Sequence, residues 1–227
     1  DDDYVWSFYT RALDTSDDTA DDTGDGPWDL LPVDLGSLDS FVAAAGAGLT
    51  NSNSGGTTVL TGDVALFPSG TCLGDGSPCT ETNPVINGTL YATDPGGVAE
   101  AALADLTEAY VDAMARPPGT IVEDLSGLTL PPGVYTSDAS MSLAVGETVT
   151  LDGQGDSNAV WIFQIGSSLT VNNGASVQLI DGAKAKNVFW AAFASTTLGS
   201  DVVFQGNVLA GASNSVGTDS VVVGRLL

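Results

Sequence analysis

Leu151-Asp-Gly-Gln-Gly-Asp-Ser-Asn-Ala-Val-Trp-Ile-Phe-Gln-Ile-Gly166 joins two short apolar runs through a polar turn rich in Gly and Asp. Just before it, Val149 and Leu151 alternate with Thr148 and Thr150, the two-residue period of a strand with one buried face. Working outward, similar runs recur at residues 169–171, 177–180, 187–193, 202–210 and 221–223, most of them closed by Gly or Asn. Close-set strands without the long polar faces of hairpins fit a β-solenoid whose coils turn at Gly and Asn. No strict repeat fixes the coil length, so periodicity alone leaves a two-sheet sandwich open.

Upstream, one helix stands out between Pro95 and Pro117. Ala99, Ala102, Leu103, Leu106, Ala109, Tyr110 and Ala113 recur at helical spacing, while Asp105, Glu108 and Asp112 fall mainly off that stripe. A face built mostly of alanine lets the helix lie close to a flat sheet. Residues 35–91 alternate short Val/Leu/Thr runs with Asn, Gly and Pro, again strands and loops. Before them the composition changes. Residues 1–13 form an aromatic strand-like segment, 14–34 an acidic linker, and 35–227 the β domain. In the first segment Tyr4, Trp6 and Phe8 share one parity, with Val5 and Tyr9 on the other.

The chain has 227 residues and a formal net charge of −24, from 29 acidic and 5 basic side chains. That surface repels a phosphate backbone, which excludes nucleic acid, and it disfavours anionic membranes. No apolar run approaches the ~18 residues that span a bilayer. Because the sequence opens at Asp1 without Met, it reads as a processed, secreted, extracellular form. Cys72 and Cys79 bracket a short Gly- and Pro-bearing loop and are expected to form a local disulfide, in keeping with an oxidising compartment. Asp21 and Asp25 approximate the start of a calcium loop, but Pro32 stands where the bidentate acid belongs, so the acidic run reads chiefly as a solvated linker. No other metal or cofactor is expected. With no histidine and no phosphate-binding glycine loop, ordinary acid–base and triad chemistry is missing, and the protein is expected not to be an enzyme.

Several segments together resemble the microbial ice-binding-like proteins. They are Ala101-Ala-Leu-Ala-Asp-Leu-Thr-Glu-Ala-Tyr110, Asp124-Leu-Ser-Gly-Leu-Thr-Leu-Pro-Pro-Gly-Val-Tyr135, the 151–166 stretch, Asn187-Val-Phe-Trp190, Phe204-Gln-Gly-Asn-Val-Leu-Ala210 and Gly224-Arg-Leu-Leu227. The resemblance implies a mainly β, discontinuous right-handed β-solenoid with one long helix packed alongside. Trp161, Phe163, Phe189 and Trp190 would then fill the core or the seam under the helix. It is less specific for function, since the family spans ice binders, adhesion modules and domains without a known role.

If Val149, Leu151, Leu169 and Val171 point inward, the opposite parity exposes Ser140, Ser142, Thr148, Thr150, Ser168, Thr170 and Asn172. A flat, barely charged hydroxyl face of that kind is what an ice-binding surface needs. Two departures point elsewhere. The Thr-Ala/Gly-x-Thr/Asn tetrapeptide of some family ice binders is missing, and family members usually continue past Gly-Arg-Leu-Leu with another β segment. An unfilled edge there is a template for strand pairing. The leading expectation is therefore a head-to-tail filament, in which Tyr4, Val5, Trp6, Phe8 and Tyr9 complement a neighbouring subunit. The alternative is a monomeric ice binder whose partner is the crystal surface.

Overall fold

The structure, a computed structural model, describes residues 5–9, 30–51, 57–74, 77–79, 84–94 and 96–227. Chain order runs β1 (Val5–Tyr9), β2 (Phe41–Ala45), β3 (Leu49–Asn51), β4 (Thr57–Thr61), β5 (Asp63–Leu66), β6 (Cys72–Gly74), β7 (Ser77–Pro78), β8 (Val85–Asn87) and β9 (Leu90–Ala92). Helix α1 (Val98–Ala115) follows, then β10 (Thr120–Ile121), β11 (Thr129–Leu130), β12 (Gly133–Ser137), β13 (Met141–Leu143), β14 (Thr148–Asp152), β15 (Trp161–Ile165) and β16 (Leu169–Val171). The last strands are β17 (Ser176–Ile180), β18 (Val188–Ala192), β19 (Ser195–Leu198), β20 (Val203–Ala210), β21 (Ser213–Val216) and β22 (Val221–Leu226). Among the described residues every strand pair but β6–β7 is parallel, which makes this a β-solenoid with three faces rather than a sandwich.

The helix-side face runs β10, β12, β15, β18, β20, β22, then β2, β5 and β9. A broad face runs β11, β14, β17, β20, β22, β1, β4 and β8. A third, narrower face carries β13, β16, β19 and β21, with β3 and β6 in a separate sheet. Coils early in the chain thus stack beyond the last strand, the discontinuity that the family resemblance implies. Strands β20 and β22 serve two faces because each bends at a glycine, and Gly206 and Gly224 lie in register at φ +120° and +147°. A side chain there would be strained and would collide with the neighbouring coil.

This topology corrects the between-subunit expectation for Val5, Trp6, Phe8 and Tyr9. Backbone of Val5–Tyr9 pairs with β22 and β4 of its own chain, with Ser7 opposite Val221 and Val59. The physical reason is the seam itself: β22 and β4 each present an open parallel edge, and a strand tethered to β2 fills it without an intermolecular association cost. Tyr4, Asp21 and Asp25 lie outside the described residues. Part of the expected linker is built in, because Val33 is buried beside the helix.

Two apolar layers hold the coils. Inside the solenoid, Trp161, Phe163 and Trp190 are fully buried with Val149, Leu151, Leu169 and Val171. Phe163 and Trp190 stack with centroids 3.8 Å apart and planes 6° from parallel. Between the helix-side face and α1, Ala99, Ala102, Ala109 and Ala113 meet Ile162, Phe189 and Leu209. The helix begins where Asp94 accepts the Ala99 N–H at 3.1 Å. At its other end the buried Gln164 amide donates to the carbonyls of Ala113 at 3.0 Å and Arg116 at 2.8 Å. A side chain from the sheet thereby satisfies carbonyls that every helix leaves open.

Cys72 and Cys79 form the expected disulfide. A ring this short restrains the unfolded chain by about 2.5 kcal/mol in the loop-entropy picture. Replacing both by Ser should lower unfolding free energy by about that amount, read from urea midpoints at constant slope. Tyr135 supplies a pH test. Its hydroxyl donates to the Pro131 carbonyl at 2.6 Å, and burial pushes its pKa up to about 12. With a folded pKa above the unfolded value near 10, the stabilisation is complete below pH ~10 and lost as pH rises towards ~12. Urea midpoints should fall through that window, and fall less in Tyr135→Phe.

Candidate functional site

On the broad face, alternation turns Val149, Leu151 and Val177 inward and Thr148, Thr150, Ser176 and Gln178 outward. In-register parallel pairing then stacks like positions across strands. Thr129 stands opposite Thr150, Thr150 opposite Gln178, and Thr148 opposite Ser176, whose hydroxyl lies 2.8 Å from that of Thr148. The same rank continues through Val203 and Val221, and across the seam Val59 pairs with Val85. Parallel strands ~4.8 Å apart with outward positions ~6.6 Å apart make a two-dimensional grid of methyl, hydroxyl and amide groups.

This face is almost free of charge, as are the outward Ser142, Thr170, Thr197 and Ser215 of the narrow face. In a chain of net charge −24, the outward ranks from β11 through β22 carry one acid, Asp152, at the margin opposite Ile180. The acids gather instead at exposed corners. Asp181, Asp201 and Asp219 all occupy left-handed turn positions, with φ between 47° and 58°, a conformation Asp tolerates better than most residues.

The structure does not bring all the sequence-derived face residues together. Thr148 and Thr150 lie on the broad face, whereas Ser142 and Thr170 are register partners on the narrow face. There they continue into Thr197 and Ser215. Ser140 and Ser168 flank that second column, with the Ser168 N–H 3.4 Å from the Ser140 hydroxyl. Asn172 is not presented to solvent as a free amide, because its side chain donates to the Leu143 carbonyl at 2.9 Å and fixes a turn. Parity separates inward from outward but does not name a face, because in a triangular coil successive strands with the same parity point to different faces. Thr129, Val203, Gln205, Val221, Val223, Val59 and Val85 were missed for a related reason, since only the order of the coils makes them neighbours.

An acidic recess bordered by Asp34, Asp105, Glu108 and Asp112 lies beside α1. Asp105 accepts the Ser37 N–H at 2.7 Å and its hydroxyl at 2.5 Å, and these bonds hold its carboxyl below the usual range. Among the described residues no three ligating side chains converge on a metal position. Nor is any helix among them long and apolar enough to cross a membrane.

A profile of the ice-binding-like proteins matches residues 43–227. The chain belongs to that family. An ice-binding protein of Colwellia sp is 35% identical over 215 residues, covering 86% of this chain and 78% of the relative. The chain spans only 24% of ice-binding protein 1 of Shewanella frigidimarina and 61% of an ice-binding protein of a Nostoc strain. Among solved structures, an ice-binding protein from an Antarctic biological consortium superimposes with a TM-score of 0.73 at 33% identity, covering 86% of this chain and 92% of that one. The ice-binding protein of the Antarctic ascomycete Antarctomyces psychrotrophicus gives 0.72 at 31% identity, covering 85% and 98%. Family membership and fold therefore agree with the solenoid just described.

Proposed function

We propose that this protein binds ice, adsorbing to the crystal through its broad face. The observation that carries the reading is the near absence of charge on a wide, regular parallel-sheet grid in a strongly acidic chain. Water ordered over such a face is not drawn into tight shells around carboxylates, and the rigid backbone ladder holds hydroxyl and methyl groups at fixed spacings. Relatives described as ice-binding proteins support the same reading. The action is adhesion to a surface, with no chemical step, and the disulfide suits a secreted, extracellular protein.

The broad face is preferred to the narrow one for its extent. Strands β14, β17, β20 and β22 each offer at least two outward positions, and the ladder continues across the seam to β1, β4 and β8, while β13 and β16 are three residues long and the narrow ladder stops at β21. A head-to-tail filament draws no support from this arrangement, since β1 belongs to the first coil of its own chain. Slow growth of an ice hemisphere in dilute protein tests the proposal directly. The chain should be enriched in the ice fraction, and exclusion into the remaining liquid, as for an ordinary acidic protein, would overturn it.

A further inference from the structure

Asn87-Gly88-Thr89 is the one place in the chain where Asn stands two residues before Ser or Thr with a residue other than proline between them. That spacing is the acceptor signal for N-linked glycans in exported proteins, and it works only at an exposed site. The structure meets that requirement. These residues turn the chain from β8 on the broad face to β9 on the helix side, and all three are exposed. Ile86 packs against the solenoid interior, so strand alternation points Asn87 outward.

The fold uses the backbone of this turn and leaves its two polar side chains idle. Gly62 donates its N–H to the Asn87 carbonyl at 3.2 Å, and the Thr89 N–H donates to Asp63 Oδ1 at 2.8 Å. A side chain at Gly88 would collide with that neighbouring coil, since its Cβ would lie 2.2 Å from the Gly62 carbonyl oxygen. Neither the Asn87 amide nor the Thr89 hydroxyl bonds to another described residue. Other asparagines are spent on backbone carbonyls: Asn172 on Leu143, Asn187 on Ser157 and Asn207 on Val188. The neighbouring edges say what a glycan at Asn87 would do. On the narrow side β7 folds back on β6, and the disulfide ties the pair together. On the broad face β8 pairs with β4 and, among the described residues, with no strand beyond it. Within β8, Val85, Ile86 and Asn87 provide neither the charge nor the proline that commonly guards an edge.

We propose that Asn87 is an N-glycosylation site whose glycan guards the open edge of β8 against pairing with another chain. During export, Asn87 Nδ2 attacks the anomeric carbon of a lipid-linked sugar diphosphate. The C–N bond forms as the C–O bond to the diphosphate breaks, the diphosphate leaves with the electron pair, and the amide gives up one proton. A bulky, hydrated sugar chain at the strand end fills the space in which a second chain would align. It leaves the ice face clear around Thr150, because β8 stands six strands from β14 on the broad face, ~29 Å at ~4.8 Å per strand. The inference rests on the reading of the protein as exported, which the disulfide supports, and not on ice binding.

The test compares the full chain secreted from a glycosylating yeast with the protein recovered from the medium of its source organism, each digested for peptide masses. In both, the peptide spanning Asn87 should carry a mass increment of whole sugar residues. Asn87→Gln and Thr89→Val should each abolish it in the yeast material, the second while leaving the asparagine in place. Both side chains are exposed, so the fold is kept. In sedimentation, the Asn87→Gln chain should self-associate about tenfold more tightly than the glycosylated one. Only the bare peptide in either secreted material, or a modification that survives Thr89→Val, would overturn the site. Equal self-association with and without the glycan would overturn its role at the edge. Finding the protein only inside the source cells would overturn the export on which the site depends. Ice enrichment of Asn87→Gln should match that of the parent, so this proposal and the ice reading fail separately.

Discussion

Thr150→Tyr should reduce thermal hysteresis about tenfold or more while leaving the fold intact. Thr150 sits inside the outward grid, opposite Thr129 on one side and Gln178 on the other, two residues from Thr148. Adsorption to a crystal plane depends on many weak contacts made simultaneously, so one phenol standing above the grid holds its neighbours off the surface. Losing only ~1.4 kcal/mol of contact free energy already gives a tenfold weaker affinity. Tyr is at home in a strand, and the Thr150 side chain is half-exposed, so circular dichroism and the urea midpoint should barely move. The control is Thr170→Tyr, the same change on the narrow face, where hysteresis should persist. The reverse pattern would move the ice site to the narrow face. Unaffected hysteresis in both variants would remove the two faces together.

That pair of variants follows from what the sequence leaves unsaid. Strand parity was legible: Val149 and Leu151 against Thr148 and Thr150 is an inward and outward pattern that needs no structure, and it was right. The alanine stripe of α1 was legible too, because Ala99, Ala102, Ala109 and Ala113 recur at helical spacing and all are buried. Which face a strand joins was not. Coil length drifts, so nothing local says that Thr148 and Thr170 look in different directions, or that Val59 extends the rank of Val221. The latter depends on a seam between residues 162 positions apart in sequence. The aromatic pattern around Trp6 correctly indicated a strand, but a strand signal carries no address, and its partners were β22 and β4 of the same chain.

Trp190→Ala should be the most damaging single substitution in the solenoid, lowering unfolding free energy by about 4 kcal/mol. Three effects converge on this side chain. Trp190 is fully buried, so truncation leaves a cavity in a space closed by strands on three sides. Its ring stacks on Phe163 at 3.8 Å and tilts against Phe204 at 5.4 Å, so the same change unpairs two aromatic contacts. Its indole N–H donates to the Gln205 carbonyl at 3.1 Å, beside the glycine bend of β20. That bend is fitted to the ring, because a Cβ on Gly206 would lie 2.6 Å from Trp190 Nε1. The backbone therefore cannot close over the void without giving up the turn that carries β20 from the broad face to the helix side. A loss near 4 kcal/mol is a large share of the 5–15 kcal/mol that holds a typical domain together. Denaturant midpoints should drop accordingly, and Trp190→Phe, which keeps the stack and loses only the N–H and some volume, should recover more than half of the difference. If Trp190→Ala unfolds at the parental midpoint, the aromatic column is not the internal support of the coils, and the rigidity assigned to the broad face would have to come from its backbone ladder alone.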